Sequence, residues 1–417
     1  MWHIMIKQTK IFLIFSCMFL FLYTDAKAQS GTSSPLSIFG IGEIETRDFG
    51  RTVGMGNAGI GFQSENFLNR RNPAGLSGID TLRFVLDISA AIKFSEFITS
   101  AHQQRTNDFN FKNLAVGVRV GKRWTSSVGL APYSNVGYHL KDPIVINGTD
   151  DHLDADYSGS GGVNRFYWAN ACELFRGFSL GVTASYLFGN ITHNEDMEII
   201  SKKMMYSVNK IYFDFGAQYS HWFGKYTNVT VGGIYGYKSK MAIQQTETIT
   251  SNTGTDRNQR NPDIKSYVPE TYGAGFSILR NKKPTEWIVA ADYQYRKWSA
   301  DHTSRHKTLS YTDSRIYSVG LQVTPNKQHG EKRLHYTRFQ LGASYNQSYL
   351  KVKGYQLDDY SVSMGVGIPF SALSYVNIAV NVGESRTGQR GGISERYVLL
   401  SVNLSLIERW FAKYQWE

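Results

Sequence analysis

The sequence predicts an all-β protein, a transmembrane antiparallel β-barrel of about fourteen strands with an N-terminal hatch inside the lumen. Three observations predict it. From Leu82 onward, apolar and polar residues alternate with period two in one segment after another. The connections between those segments alternate between short and long. The composition, with 39 Gly, 26 Tyr and 24 Phe against 9 Pro, favours strands and tight turns over helices.

The alternation is clean in several segments. Phe178, Leu180, Val182, Ala184, Tyr186 and Phe188 share one face, while Ser179, Gly181, Thr183 and Ser185 share the other. Tyr360, Val362, Met364, Val366 and Ile368 oppose Ser361, Ser363, Gly365 and Gly367 in the same way. A soluble sandwich also alternates, so the loops decide. The expected strands cover residues 82–92, 114–122, 127–136, 163–174, 178–188, 208–222 and 228–238, then 267–279, 286–297, 313–325, 336–348, 358–369, 374–384 and 395–406. Short connections (123–126, 175–177, 223–227, 370–373) follow even-numbered strands, and longer polar ones (137–162, 189–207, 239–266) follow odd-numbered strands.

Short periplasmic turns and long outer loops mark outer-membrane barrels, whose closure leaves no unpaired edge in hydrocarbon. Trp124, Trp222, Phe223 and Trp287 near short turns, with Tyr186, Phe188, Tyr237 and Trp298 near long loops, read as two aromatic girdles. The mean hydropathy of −0.32 and the 41% hydrophobic content are then the average of an apolar outer face and a polar inner one.

Residues 1–28 read as a signal peptide: Lys7 and Lys10, an apolar run over 11–23 that is short for a membrane span, and the small-residue site Ala26-Lys27-Ala28. Only Cys172 lies beyond it, which excludes an intramolecular disulfide, a thiol redox pair and a Cys-rich zinc site. Residues 29–81 are glycine-rich and irregular, too many for a tail and few for a domain, and fit a plug in the lumen. The barrel is expected over 82–406 and a basic-aromatic periplasmic tail over 407–417.

The runs Gly54-Met55-Gly56-Asn57-Ala58-Gly59 and Asn72-Pro73-Ala74, placed just ahead of the first strand, resemble the FadL family of outer-membrane transporters for long-chain fatty acids and other hydrophobic compounds. That resemblance implies fourteen strands and a hatch, with Gly54, Gly56, Gly59, Asn72, Pro73 and Ala74 as hatch residues. Residues 34–42, Tyr186-Leu187-Phe188-Gly189 and Glu408-Arg409-Trp410-Phe411 resemble a branch common in Bacteroidetes, which includes relatives serving envelope machines such as the type IX secretion shuttle.

Strand parity supplies further candidates. Lys238, in phase with Thr230, Gly232 and Gly236, and Arg296, in phase with Asp292 and Gln294, are expected to face the lumen near the outer rim. There they could hold the carboxylate of an amphiphile, although Arg296 could instead pair with Asp292. Asp87, Arg119, Asp214 and Arg338 also fall on the inner face, and buried charges need partners. Arg70 and Arg71, beside Asn72, are the natural partners for Asp87 or Asp214.

Enzymatic chemistry finds little support. Gly177-Phe178-Ser179-Leu180-Gly181 spells a nucleophile-elbow motif but opens a strand rather than a strand-to-helix turn. The acidic loop over 149–156 lacks the spacing of a calcium-binding loop, and no metal or cofactor is expected. The net charge is +11, and many basic residues gather at short turns (Lys122-Arg123, Lys282-Lys283, Lys332-Arg333), which suits headgroup or periplasmic contacts rather than nucleic acid. The expected partners are outer-membrane lipid, a hydrophobic small molecule, and envelope proteins met through the periplasmic face. The leading expectation is passive uptake of hydrophobic or amphiphilic molecules through a hatch-gated barrel. The alternative is a non-transporting accessory subunit of an envelope assembly or secretion machine.

Overall fold

The structure, a computed structural model, describes residues 33–47, 50–99, 103–141, 144–145, 152–153, 155–197, 200–251, 256–298, 309–325, 336–371, 373–389 and 392–409. Fourteen antiparallel strands close into a barrel: β1 (Arg83–Ile98), β2 (Gln103–Arg119), β3 (Trp124–Lys141), β4 (Ala155–Phe175), β5 (Phe178–Met197) and β6 (Ile200–Phe223). β7 is Thr227–Gly236 continued by Ser239–Ser251, and β8 is Asp256–Val268 continued by Glu270–Lys282. Then come β9 (Thr285–Lys297), β10 (Ser314–Pro325), β11 (Arg338–Val352), β12 (Tyr355–Pro369), β13 (Tyr375–Thr387) and β14 (Ser394–Arg409). β14 returns to pair with β1, from Arg83 opposite Arg409 to Ile98 opposite Ser394.

Period-two sequence becomes period-two burial. Leu180, Val231, Phe276, Leu341, Val362 and Met364 are exposed on the outer face, whereas Ser179, Thr230, Ser277, Gln340 and Ser363 are buried on the inner one. Each strand is laddered to both neighbours, so that the sheet closes without a free edge, as a barrel in hydrocarbon requires.

All fourteen expected strands are present in the expected order, but most are longer at one end. The stretches 189–207 and 239–266, read as polar loops, are largely hairpin: β5 and β6 stay paired out to Asp196 and Ser201, and β7 and β8 out to Thr250 and Asp256. Beyond the lipid an outer face need not be apolar, so the hydrophobic signal stops before the hydrogen-bond ladder does. β14 likewise runs to Arg409 rather than Leu406 because Ile407, Glu408 and Arg409 pair with Val85, Phe84 and Arg83. The expected signal peptide and residues 410–417 of the expected tail lie outside the described residues. Trp298 is not a girdle residue: it is buried and stacked on Tyr349 at 4.8 Å, in an inner cluster with Leu187, Ile191, Met241 and Leu350.

The segment ahead of β1 lies against inward-facing side chains all around the wall. It is held in short 3-10 turns, Pro35–Ile38, Val53–Met55 and Pro73–Gly78. Met55, Ala58, Ile60, Phe62, Phe67 and Ala74 are buried there. Gly56 takes φ 62°, and a Cβ on it would come within 2.5 Å of Ala343 O and 2.8 Å of Val319 O. Across the contact, a side chain on Gly342 of β11 would collide with the backbone of Met55 and Gly56.

This close approach gives a test. Gly342→Val should dislodge the segment, so that limited proteolysis cuts within residues 50–79. Gly121→Val, at a site with nothing within 4 Å, should leave the digestion pattern unchanged.

Candidate functional site

The candidate site is the seam where the glycine-rich segment meets the barrel wall. It is built around Asn72. This residue caps the Pro73–Gly78 turn, its Oδ1 accepting from Ala74 N at 3.0 Å, with Pro73 at the position where a missing N–H costs nothing. Its Nδ2 donates to Ile60 O at 2.9 Å within the segment and to Ala217 O of β6 at 3.1 Å. One buried amide therefore caps a helix, closes a loop and ties both to the wall.

The wall is shaped to receive it. Gly181 on β5, Gly216 on β6 and Gly232 on β7 sit under Pro73-Ala74, Asn72 and Ile60, where any side chain would overlap the segment. In the sequence Gly181 and Gly232 read only as inner-face residues, and Gly216 is not singled out. A glycine inside a strand is the usual sign that another backbone comes close, and that signal was available.

A second anchor is Asp292 of β9. Its Oδ2 accepts from the backbone N–H of Gly59 at 2.6 Å and of Ile60 at 2.8 Å. A Cβ on Gly59 would come within 3.1 Å of Arg71 Cγ and 3.5 Å of Thr52 Cγ2, so a larger residue would crowd this turn. Asp292 is thus taken up by the segment rather than by Arg296. Gly56 N donates to Ser363 Oγ at 2.9 Å, and Gly54 lies on Gln340 and Gly365. Ser277 Oγ donates to Gly61 O at 2.7 Å, and Gln218 Nε2 to Ile60 O at 2.8 Å. Ser179, the serine of the elbow-like motif, has its Oγ 2.7 Å from Ser77 Oγ and serves this same seam.

Arg51, which the sequence did not single out, is the most buried cation of the segment. Its guanidinium reaches Gln322 Oε1 at 3.1 Å and Ser64 Oγ at 2.6 Å and lies over the Phe62 ring. Burial pushes its pKa well down. Glu43 and Glu45 diverge: burial pushes the Glu43 carboxyl up, whereas at Glu45 burial is overcome by Lys112, 2.6 Å away, together with Arg47 and Arg70, which hold the carboxyl below its usual range.

The remaining candidates sort as follows. Arg119 does face in, donating to Ser77 O at 3.1 Å and Ile79 O at 2.8 Å at the end of the 3-10 turn. Arg338 is buried over the Tyr375 ring, 3.6 Å from its centroid. Asp87 accepts from Asn403 and Ser405 of β14 rather than from Arg70 or Arg71. The two arginines bond backbone carbonyls of Arg47 and Thr46, both at 3.5 Å, and share a cavity of about 140 Å³ with Asp214 and Arg296.

Lys238 does not join Arg296. Strand β7 breaks at Tyr237-Lys238, which reverses the parity: Ser239, Met241 and Ile243 point inward, and Lys238 is exposed over the Tyr267 ring at 4.0 Å. Extrapolating alternation across a break moves every later side chain to the wrong face.

The BamG family model matches residues 5–417. The chain belongs to the BamG family. No functionally curated protein matches it. This BamG-family barrel shares its fold with solved outer-membrane proteins. A Pseudomonas aeruginosa FadL homologue superposes with TM-score 0.58 at 12% identity, over 88% of this chain and 99% of that one. The Ralstonia pickettii toluene transporter TbuX gives 0.57 at 14% identity, over 87% and 99%. The Pseudomonas putida toluene transporter TodX gives 0.56 at 14%, over 88% and 99%. The BamG-family chain therefore has the β-barrel fold of these channels.

Loss of the anchors should open the seam. Asn72→Ala removes a cap worth about 1 kcal/mol, and Asp292→Ala strands two buried amides at a cost of about 1–3 kcal/mol each. The double variant is expected to show raised ion conductance in planar bilayers, with single variants in between.

Proposed function

We propose that this protein works as a closed barrel, an accessory subunit of an envelope assembly or secretion machine that meets its partners at the periplasmic face. The observation that carries the reading is how the lumen is filled. The segment is hydrogen-bonded to inward residues of β5, β6, β9, β11 and β12. Two cavities beside it measure about 140 and 120 Å³ and have several charged groups in their linings, whereas ligand pockets typically span roughly 300–1,000 Å³ and are mostly apolar. Membership of the BamG family points the same way. In this reading Gly54, Gly56, Gly59 and Asn72-Pro73-Ala74 are fasteners of a hatch over residues 29–81. The chain reaches the outer membrane of a Gram-negative envelope after removal of residues 1–28.

A second reading, uptake of hydrophobic or amphiphilic molecules, is favoured by the fold shared with toluene transporters. It requires the hatch to move, and a covalent staple separates the two. Ser77 and Ser179 have their hydroxyls 2.7 Å apart across the seam, a geometry close enough for a disulfide. In a Cys172→Ser background, Ser77→Cys with Ser179→Cys should form that bond under oxidation. A closed accessory barrel retains its co-purifying envelope proteins and complements a deletion strain when stapled. If the staple abolishes complementation and reduction restores it, the hatch moves and the uptake reading stands instead.

A further inference from the structure

The outward face of β7 and β8 carries a compact group of exposed cations beside a gap in the ladder. Tyr235 and Tyr272 are ladder partners there, with exposed rings whose centroids lie 5.3 Å apart, and they mark the outer aromatic girdle. β7 runs outward from its short turn, so Lys238 and Lys240 lie beyond Tyr235; β8 runs back toward the periplasm, so Lys265 lies beyond Tyr272. All three lysines are exposed. They gather about one ring. The Lys238 ammonium stands 4.0 Å from the centroid of Tyr267, Lys240 is the ladder partner of Tyr267, and Lys265 pairs with Ala242, diagonally across from Lys240. The break at Tyr237-Lys238 brings them together, because it turns Lys238 out of the lumen and into phase with Lys240.

Below the lysines the same side of the wall is apolar. Phe213 and Phe215 of β6, Val231 of β7 and Phe276 of β8 are exposed, a surface suited to acyl chains. The ladder between β6 and β7 stops at Asp214–Gly236 and resumes at Val208–Ile243, so residues 209–213 and 237–242 are not laddered to each other. Such a gap is costly in hydrocarbon. Here it falls beyond the girdle, at the depth where lysine heads reach out of the bilayer and where headgroup oxygens and water meet backbone groups. Glu270, on the adjoining stretch of β8, accepts from the hydroxyls of Tyr272 at 2.6 Å and Tyr235 at 3.4 Å and so ties the two girdle rings together.

We propose that Lys238, Lys240 and Lys265 form a binding site for the phosphorylated headgroup of an outer-leaflet lipid, with Tyr267 as its floor and the acyl chains lying on Phe213, Phe215 and Val231. Three ammonium groups about one ring offer a phosphate several charge-assisted hydrogen bonds at once, and clustered lysines at a bilayer surface attract anionic headgroups. An acidic protein loop would meet the lysines but leave the apolar surface directly beneath them unused, which favours the lipid. The site rests on the outer-membrane placement proposed above and holds whether or not the hatch moves.

The test uses the full-length protein in nanodiscs of neutral phosphatidylcholine doped with either bis-phosphorylated lipid A or its dephosphorylated form, with retained lipid counted by native mass spectrometry. The unaltered protein should retain the phosphorylated form at least about 10-fold better. Lys238→Gln/Lys240→Gln/Lys265→Gln should abolish that preference, with heat-modifiable gel migration reporting a folded barrel. Lys203→Gln, exposed farther out on the β6 hairpin, should leave it unchanged. Equal retention of the two lipids by the unaltered protein, or a preference unchanged in the folded triple variant, overturns the proposal. If the triple variant does not fold, Lys265→Gln decides alone: an undiminished preference overturns it. Loss of a co-purifying protein instead of lipid also overturns it, by assigning the lysines to a protein contact. Failure to enter any bilayer overturns the outer-membrane placement and the site with it, whereas entry without lipid preference overturns the site alone.

Discussion

An irregular, glycine-rich segment can be buried only if something other than its own secondary structure meets its backbone donors and acceptors. A barrel interior lined with small polar residues has the converse problem, because its side chains are shut off from bulk water once the lumen is filled. Here each solves the other. Asp292 takes the amides of Gly59 and Ile60, Ser277 and Gln218 serve the carbonyls of Gly61 and Ile60, and Arg119 serves those of Ser77 and Ile79. Glycines on both partners allow backbone to lie on backbone, so these bonds are short and shielded. The rest of the fold follows from this arrangement. The strands must be long enough to enclose the segment, closed so that no edge meets lipid, and polar inside wherever the segment passes.

The barrel was legible because hydrocarbon imposes a strict rule on one face of every strand. Period-two alternation located all fourteen strands, and the Asn-Pro-Ala run located the seam. Legibility failed where that rule lapses. Outer hairpin extensions such as 189–207 have no apolar face to betray them. The break at Tyr237-Lys238 reverses parity, and Gly236 just before it reads in sequence as one more inner-face residue, so Lys238 was placed on the wrong side. Pairings failed for a different reason. Parity shows that Asp87 faces in, and position beside Asn72 singles out Arg71, but neither gives height or angle around the lumen. Asp87 belongs to the β14 neighbours Asn403 and Ser405, which are adjacent by barrel closure and remote in sequence.

Charge divides the interior into two kinds of region. Along one side, opposite charges are matched: Lys112 with Glu45, Arg47 with Asp359, and Lys93 with Glu395 at 2.5 Å. The first two pairs fix the first half of the segment to β2 and β12, and Glu43, 3.9 Å from Lys93, ties it to β1. Beside Asn72, Arg165 and Arg296 act on the inward Asp214 across a cavity of about 140 Å³. The BamG-family chain thus combines the fold of hydrocarbon channels with an interior organised for closure.

Backbone hydrogen exchange tests that closure most directly. With the full chain in lipid, amides over residues 50–79 should exchange as slowly as those of β5, β6 and β9, since they are buried against the same ladder. Exchange of that stretch within seconds, while the strands stay protected, would contradict a segment fastened in the lumen.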